Sequence, residues 1–371
     1  MARTPTKEDV LQVGDSIKAD ARFSRIDAEL KSLREKYKSA LKQIEEFEKR
    51  EEFVSHIERG KIYQWDEETR KNSGSQATAI VLLSDWHIEE SVEGGKVTYL
   101  NEFNPDIAEA RVKRVAWKIL EYLDRYCPMA KVLYLGLMGD FITGYIHEEL
   151  KETNHMSPNE AVIYAQDLIC GVIDLIVKKW KGKIVCVTVH GNHSRATPKE
   201  LIKSSAANSY EWRMYQDLAR LYGPDPRVTL LNTEADHNYV SIYGRLVRFL
   251  HGTGIKYNNG VGGFTIPANK MISKWNDSPL KADLTVFGHL HTHAVHKLLI
   301  ANSSLIGHSE YGLRIGAAYE PPSQTFIVFS KNRGAHFAVK MYCDDKDPST
   351  EEILGKMAVD HKRVRRRIVF G

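Results

Sequence analysis

The sequence lacks several features that mark common protein classes. Its 371 residues include only four cysteines, whose scattered positions fit neither a disulfide framework nor a zinc knot. Their scarcity predicts reduced thiols in a cytoplasmic, intracellular protein. No stretch approaches the roughly eighteen uninterrupted apolar residues of a membrane span, and the start of the chain has no apolar signal segment. Secretion and a membrane partner are therefore both disfavoured.

Charge of one sign is also in short supply. The formal net charge is +4 and the isoelectric point is about 8.6, an excess too mild to indicate a nucleic-acid partner by itself. The excess is concentrated near the end of the chain, in the basic run Lys362–Arg367. This run predicts either contacts with nucleic-acid phosphates or an ordinary solvated, disordered tail, and the sequence leaves both open.

Proline and glycine are absent from about Asp20 to Ile57, where apolar residues recur in alternating steps of three and four that are broken only at Glu51. This spacing predicts one long helix with a heptad seam. The helix is expected either to form a homodimer through that seam or to lie back on the rest of its own chain. The seam consists of Phe23, Ile26, Leu30, Leu33, Tyr37, Ala40, Ile44, Phe47 and Val54.

From Ala77 onward, apolar and amphipathic segments alternate, which predicts an α/β fold. We expect two packed mixed β-sheets flanked by helices, preceded by the long N-terminal helix. The expected organisation is a helical appendage and linker at 1–76, a catalytic domain at 77–345 and a C-terminal segment with a basic tail at 346–371. Helices are predicted near 105–125, 158–179 and 198–221, and strands near 79–84, 131–137, 184–190, 228–231, 237–242, 245–250, 283–287, 294–299, 304–307, 325–330 and 335–342.

Five short polar motifs lie at or just beyond the ends of predicted strands. Open α/β sheets place their sites at the carboxyl ends of strands, so the motifs are expected to converge. Their carboxylate, amide and imidazole groups form a donor set suited to manganese, iron or zinc, with no thiolate ligand. Two such ions roughly 3.5–4 Å apart can clamp a phosphoryl displacement and generate hydroxide. The motifs are Ser84–His87, Gly139–Asp140, Gly191–His193, His251–Gly252 and Gly288–His291.

In order and spacing, these motifs resemble the signature of the calcineurin-like metallophosphoesterase superfamily: D-x-H, GD, GNH, H and GHxH. The resemblance covers roughly residues 77–342 and implies a two-sheet sandwich that hydrolyses phosphoesters by attack of metal-bound hydroxide. It also implies a catalytic role for His193, which would protonate the leaving group or stabilise transition-state charge. One metal ion would be bound by Asp85, His87, Asp140 and His291, and the second by the bridging Asp140, Asn192, His251 and His289.

The sequence departs from the superfamily pattern at two positions. Ser194 stands where relatives usually have an acidic residue after GNH, and Thr143 stands where they often have Asp or Asn. The sequence therefore does not identify the group that orients His193. The last motif holds a further ambiguity, because a slip of two residues would make His293 a ligand, although Gly288 marks His289 as the first of the pair.

Two connections are candidate substrate loops, with ordinary surface loops as the alternative. The first runs from Gly144 to Met156 and carries two histidines. The second runs from Gly252 to Pro267 and is rich in glycine and asparagine, which permits close backbone approach to a ligand.

Three functions remain open for the two-metal site. The favoured one is a phosphodiesterase or nuclease acting on DNA or other nucleic acid, similar to the repair-nuclease branch. Residues 301–307, with 321–324, also look like phosphoesterases of bacteriophages and prophages. The alternative is a phosphomonoesterase acting on phosphoproteins or nucleotides, in which Arg195 would hold the phosphate. A non-catalytic metal-stabilised scaffold is the least favoured, because it would not need His193. Manganese is the expected metal, with iron or zinc as alternatives.

Overall fold

The computed structural model describes residues 22–42, 45, 76–148, 150–257 and 263–370, with backbone alone for 361–370. The chain forms two compact units, Met1–Ser73 and Gly74–Gly371. In the first unit, residues 22–42 are helical and the seam residues from Phe23 to Ala40 are exposed. The seam residues Ile44, Phe47 and Val54 lie outside the described residues. The three-part domain division remains a prediction.

The second unit contains strands and helices in alternation. Its strands are β1 (Ala77–Leu83), β2 (Val132–Leu137), β3 (Lys183–Thr188), β4 (Val228–Leu231), β5 (His237–Ile242), β6 (Arg245–Leu250), β7 (Leu284–Phe287), β8 (Ala294–Val295), β9 (Leu299–Ala301), β10 (Ser323–Ser330) and β11 (Gly334–Tyr342). Its α-helices are α1 (Pro105–Tyr126), α2 (Leu150–Thr153), α3 (Pro158–Lys179), α4 (Tyr210–Tyr222), α5 (Thr265–Trp275), α6 (Glu310–Arg314) and α7 (Thr350–Phe370), and short 3₁₀ turns lie at Gly94–Val97, Ile202–Ser204 and Ala206–Asn208.

The strands form two mixed sheets, as the sequence predicts. The first has the order β11-β10-β1-β2-β3-β4, and the second has the order β5-β6-β7-β9-β8. Strands β1 to β4 are parallel, and so are β6, β7 and β9. In the first sheet Leu83 pairs with Leu137, which pairs with Thr188, so three parallel strands end at one level. The motifs that follow them therefore begin at the same edge.

The core lies on both faces of the first sheet. Ile80 and Leu82 of β1 pack between the sheets, in a cluster with Val247 and Phe249 of β6. The alternate residues of β1 face the opposite way and pack with residues of α1, α3 and α4. Because successive strand side chains point to opposite faces, a strand covered on both sides is apolar throughout. This explains the unbroken apolar run that ends at the first motif.

Three sequence-based assignments were wrong. The single strand expected at 294–299 is instead the antiparallel pair β8 and β9. Residues 304–307 form no strand, because the side chain of Arg111 donates to the carbonyl oxygens of Leu305 and Ile306 in place of a neighbouring strand. The helix expected from residue 198 begins at Tyr210, where the hydroxyl of Ser209 accepts a hydrogen bond from the amide of Trp212 and caps the first turn.

The end of the described chain also differs from one of the two expectations for the basic run. Residues 362–367 lie within helix α7, rather than in a disordered tail. Among the residues that the structure describes, no helix combines the length and apolar character needed to cross a membrane.

Candidate metal centre

The polar motifs are held together by backbone hydrogen bonds between the loops that carry them. The amide of Asp85 donates to the carbonyl of Gly139 over 3.0 Å, and the amides of Trp86 and His87 donate to the carbonyl of Asp140 over 2.8 and 3.2 Å. In the second sheet, the amide of Gly288 donates to the carbonyl of His251 over 2.9 Å. Each loop therefore fixes the position of its neighbour.

The candidate ligands have an unusual backbone conformation. Eight non-glycine residues in the described part of the chain have positive φ angles, and five of them are predicted ligands. Such angles strain an L-residue and are known to concentrate at functional sites, where the surrounding structure maintains them. The strain here follows from sharp turns just after strand ends. The five residues are Asp85, His87, Asp140, His289 and His291.

Two glycines allow the loops to approach closely. A Cβ atom at Gly191 would overlap the side chain and the amide nitrogen of Asp140. A Cβ atom at Gly288 would overlap the side chains of Asp85 and Ser84. The GNH and GHxH motifs therefore need glycine for packing against the carboxylates, in addition to any need for backbone freedom.

Asp85, His87 and His291 form the first ligand group. One potential donor atom from each lies within 4.8 Å of the others. Nδ1 of His87 lies 2.9 Å from the hydroxyl of Thr143, whereas its Nε2 is buried without a hydrogen-bond partner among the described residues. A buried nitrogen that no hydrogen bond satisfies is expected where a metal ion takes up the lone pair.

Asp140, His251 and His289 form the second ligand group, to which Asn192 also belongs by position. Nδ1 of His251 lies 2.8 Å from the carbonyl of Met138, so this nitrogen carries a proton. Its Nε2 faces Oδ2 of Asp140 at 2.9 Å and Oδ1 of Asn192 at 3.1 Å. A carboxylate and an amide oxygen facing one nitrogen need positive charge between them, from either a proton or a metal ion.

The ionised carboxylates and neutral His289 suit cation binding, whereas His251 carries a proton that a metal ion would have to displace. Burial would raise the pKa of Asp140, but nearby histidines, led by His251, hold it well below its usual value, so the carboxylate is ionised. The pKa of Asp85 is likewise lowered, through His291. Burial lowers the pKa of His289 to about 4, which leaves a neutral imidazole. For His251, burial is outweighed by the charge of Asp140, which raises the pKa to about 10.

Both groups share one edge of the molecule with His193. The amide of His193 donates to Oδ1 of Asp140 over 2.8 Å, and its Nδ1 lies 3.0 Å from the carbonyl oxygen of Thr143. Because Nδ1 donates to that carbonyl, Nε2 is the nitrogen left for chemistry. Thr143 thus orients His87 through its hydroxyl and His193 through its carbonyl, which identifies the orienting group that the sequence does not.

Ser194 has a structural place beside the site. Its hydroxyl donates to the carbonyl of Gly191 over 3.1 Å and lies 2.8 Å from the hydroxyl of Ser209. It therefore closes the GNH loop onto the start of α4. Nothing in its contacts substitutes for the acidic residue that relatives usually have at this position.

Two buried glutamates support the loops, and sequence reasoning missed both. Glu211 on α4 accepts hydrogen bonds from the amides of Phe141 and Gly191 over 2.6 and 2.8 Å. Burial, followed by the charge of Asp140, raises its pKa to about 7. Glu89 accepts from the amides of Thr143 and Gly144, both over 2.8 Å. A glutamate inside an amphipathic helix gives no sequence signal of such a role, whereas Glu89 is marked only by its closeness to His87.

A cleft of about 690 Å³ lies beside the second ligand group. Its lining includes Asn192, His251, Arg195, Trp275 and His237. One guanidinium nitrogen of Arg195 donates to the carbonyl of Asn192 over 2.8 Å, which holds the guanidinium group beside the candidate ligands. The rings of Trp275 and His237 meet edge to face, with centroids 4.6 Å apart.

The remaining candidates lie elsewhere. His293 belongs to neither ligand group, since its amide donates to Glu320 and its ring lies 3.1 Å from the hydroxyl of Thr325. In the first candidate loop, the side chain of Asn154 donates to the carbonyl of Gly144 and closes the loop. Residues 258–262 of the second candidate loop lie outside the described residues.

No protein-family model matches the sequence, and no curated protein is similar to it. Solved structures are distantly similar. The calcineurin-like phosphoesterase YfkN from Bacillus subtilis shares 12% identity at a TM-score of 0.33, over 78% of this chain and 98% of that one. Vps29 from Entamoeba histolytica, in complex with Zn²⁺, shares 9% identity at a TM-score of 0.30, over 72% and 100% of the two chains. A 5′-nucleotidase precursor from Thermus thermophilus shares 12% identity at a TM-score of 0.31, over 78% and 60%.

Proposed function

We propose that the chain is a dinuclear metal-dependent phosphodiesterase of the calcineurin-like metallophosphoesterase superfamily that acts on nucleic acid, a proposal supported by its two packed mixed sheets and its two strand-end ligand groups. One observation carries the proposed chemistry. Two groups of carboxylate and imidazole donors converge where strand ends of the two sheets meet, and His193 is held beside them by Asp140 and Thr143.

The donor set fits two divalent ions. The ions would be held by the first ligand group, by the second together with Asn192, and by Asp140 as the shared carboxylate. The unpartnered Nε2 of His87 and the oxygens that face His251 are the features that such ions would satisfy. When bound, two ions of this kind neutralise charge on the phosphate and lower the pKa of water. Manganese, with iron or zinc as alternatives, suits mixed nitrogen and oxygen donors.

Asp140 and His193 have separate roles in the proposed reaction. The carboxylate of Asp140, already fixed by the amide of His193, holds the two halves of the site at a constant separation. The imidazole of His193 is anchored through Nδ1, so its Nε2, once protonated, would donate that proton to the leaving oxygen. Its anchor is a backbone carbonyl rather than a carboxylate. The ring is thus oriented without a second negative charge beside it.

The cleft supports a phosphate ester that carries an organic group. Its lining includes Asn192 and His251, together with the aromatic rings of Trp275 and His237. A phosphate alone would leave most of the 690 Å³ unfilled. An organic group esterified to the phosphate could contact these rings, in a diester or in a monoester.

Nucleic acid is the proposed substrate class because of the basic run in α7. Residues 362–367 contain one apolar residue and five basic ones, in a helix that belongs to the catalytic unit. Backbone phosphates of a nucleic acid are the polyanion that such a run would bind.

A phosphomonoesterase is the second candidate, and Arg195 is the observation that favours it. Its guanidinium is held beside Asn192, where it could bind the non-bridging oxygens of a terminal phosphate. Arg195 would, however, also serve a diester. The two functions must therefore be distinguished by measuring which class of ester the protein hydrolyses.

A single substrate panel tests the proposed function. Protein loaded with manganese is offered a model diester, a model monoester, supercoiled plasmid, linear duplex DNA and single-stranded DNA. We expect cleavage of the model diester and of at least one nucleic acid. Efficient cleavage of the monoester alone would show that the protein is a phosphomonoesterase. If no substrate is cleaved, the non-catalytic metal-stabilised scaffold is the function that remains.

The nucleic-acid part has its own test. Replacing Arg365–Arg367 with Gln should weaken DNA binding and flatten its salt dependence, by roughly 0.9 in log–log slope for each phosphate that the variant no longer neutralises. Turnover of a small model diester should be unchanged. The matched control replaces Lys31, Lys38 and Lys42 with Gln, which removes the same charge from the N-terminal helix. Equal effects of the two triple variants would show a general charge effect and contradict a site in α7.

A further inference from the structure

The helix at residues 22–42 carries an apolar stripe that is exposed along its length. The stripe consists of Phe23, Ile26, Leu30, Leu33 and Tyr37, spaced in steps of three and four. All five side chains are exposed, Phe23 to 72% and Leu33 to 67%. Isolated helices of this length are marginal in water, and most helices in proteins are stabilised by burial of their apolar face. We therefore expect another apolar surface, an occupant of the stripe, to cover these side chains.

The charges beside the stripe identify that occupant. In heptad notation Phe23, Leu30 and Tyr37 are a positions, and Ile26 and Leu33 are d positions. The flanking g positions then hold Arg22, Glu29 and Lys36, and the flanking e positions hold Asp27 and Arg34. The signs alternate along both flanks, so each flank offers both charges.

A second copy of the same stripe matches these charges in either direction. In a parallel, in-register pair, Arg22 of one copy faces Asp27 of the other, and Glu29 faces Arg34. In an antiparallel pair centred between Leu30 and Leu33, Asp27 faces Arg34, and Glu29 faces Lys36. Every facing pair has opposite sign, which favours association with a like helix.

We propose that the apolar stripe is the interface of a homodimer, in which the helices of two copies form a coiled coil. The proposal rests on the exposed seam and on its self-complementary flanks, and it is independent of the metal centre. A chain that covered the stripe with its own catalytic unit would be monomeric.

The mass of the full chain in solution tests the proposal. Sedimentation equilibrium should give twice the chain mass of 42.3 kDa. Leu33→Asp places a charge in the seam and should convert the dimer to a monomer. The matched control is Ser32→Asp, which adds the same charge at the preceding residue, on the solvent face of the helix. This variant should remain dimeric. A monomeric wild type, or a dimer that survives Leu33→Asp, would overturn the proposal.

Charge reversal provides a second test that leaves the seam intact. Glu29→Lys should weaken the dimer several-fold, whereas the control Glu35→Lys, on the outer face of the same helix, should not. The double variant Glu29→Lys with Arg34→Glu again has opposite charges at the facing positions 29 and 34 of a parallel pair. In an antiparallel pair it has like charges at both facing pairs, 27 with 34 and 29 with 36. Rescue or further weakening thus reveals the direction of the helices. Equal effects of Glu29→Lys and Glu35→Lys would contradict pairing through these flanks.

Discussion

His193 shows how a single residue is prepared for chemistry at this site. Its backbone amide binds Asp140 and its Nδ1 binds the carbonyl of Thr143, so the ring has one orientation and one available nitrogen. Burial lowers its pKa, partly offset by the charge of Asp140. The neutral ring thus has its lone pair at Nε2, and this nitrogen must first take up a proton, a step that the charge of Asp140 favours, before it can donate one to a leaving group.

His193→Ala should therefore affect the reaction and spare the metal site. We expect a loss of about 10²–10⁴ in rate on an ester with a poor leaving group, the usual contribution of general acid catalysis. The loss should be smaller on an activated aryl ester, whose leaving group departs without a proton. The measurement is kcat on both esters, with metal content as the control. Equal losses on the two esters, or loss of bound metal, would contradict the assigned role.

Substitution of Asp140, in contrast to that of His193, should weaken metal binding. Asp140→Asn removes the charge that the two groups share, so both ions should bind more weakly and turnover should fall by several orders of magnitude. Metal content after dialysis, measured for wild type and variant, checks the first effect. Fewer than two ions per wild-type chain at saturating manganese, or near-normal turnover of the variant, would refute the two-metal assignment.

At the level of elements, helices α3 and α4 each begin with a side-chain cap that fixes the first helical residue. Helix α3 begins with a capping box, in which the side chain of Ser157 accepts from the amide of Glu160, and the carboxylate of Glu160 accepts from the amide of Ser157. Helix α4 begins at the cap of Ser209 and carries Glu211 to the loops of the site. The position of one cap thus decides which residue of α4 reaches those loops.

The capping box predicts a measurable stability effect. Ser157→Ala leaves an amide of the first turn without its acceptor and should lower the free energy of unfolding by about 1 kcal/mol. Denaturant unfolding of the two proteins measures the difference. Glu160→Gln is the matched control, since glutamine keeps the accepting oxygen of the box and should lie close to wild type. A larger effect of the control than of Ser157→Ala would show that charge at the helix start, rather than the cap, matters.

At the level of the whole molecule, the metal centre joins the two sheets. The first ligand group combines residues that follow β1 with one that follows β7, and the second combines residues that follow β2, β6 and β7. Ions bound there would add a link between the sheets to the apolar cluster and to hydrogen bonds such as that of His251 with the carbonyl of Met138. Metal binding should therefore contribute to the stability of the catalytic unit.

Removal and return of metal tests this link. Chelator-treated protein should unfold at a lower temperature than protein with manganese, because a ligand at about 100 times its Kd stabilises the native state by about 2.7 kcal/mol for each site. Thermal unfolding with and without added manganese gives the shift. The double substitution of Asp85 and His251 by alanine, which removes a ligand from each group, should abolish it. A shift of the same size in that variant would place the stabilising ions elsewhere.

The sequence by itself determined the motifs, their position after buried strands and the mixed two-sheet fold. These are local properties, because apolar alternation and strand length are set by neighbouring residues. The shared edge follows from parallel strands, whose carboxyl ends must lie together. Only the tertiary structure decided that Thr143 orients His193, that Glu211 ties two loops, and that His293 lies outside both ligand groups. Each of these depends on contacts between residues far apart in the chain, and periodicity carries no information about such pairs. The same holds for residues 304–307, whose apolar character predicts a strand but whose carbonyls are satisfied by the distant Arg111.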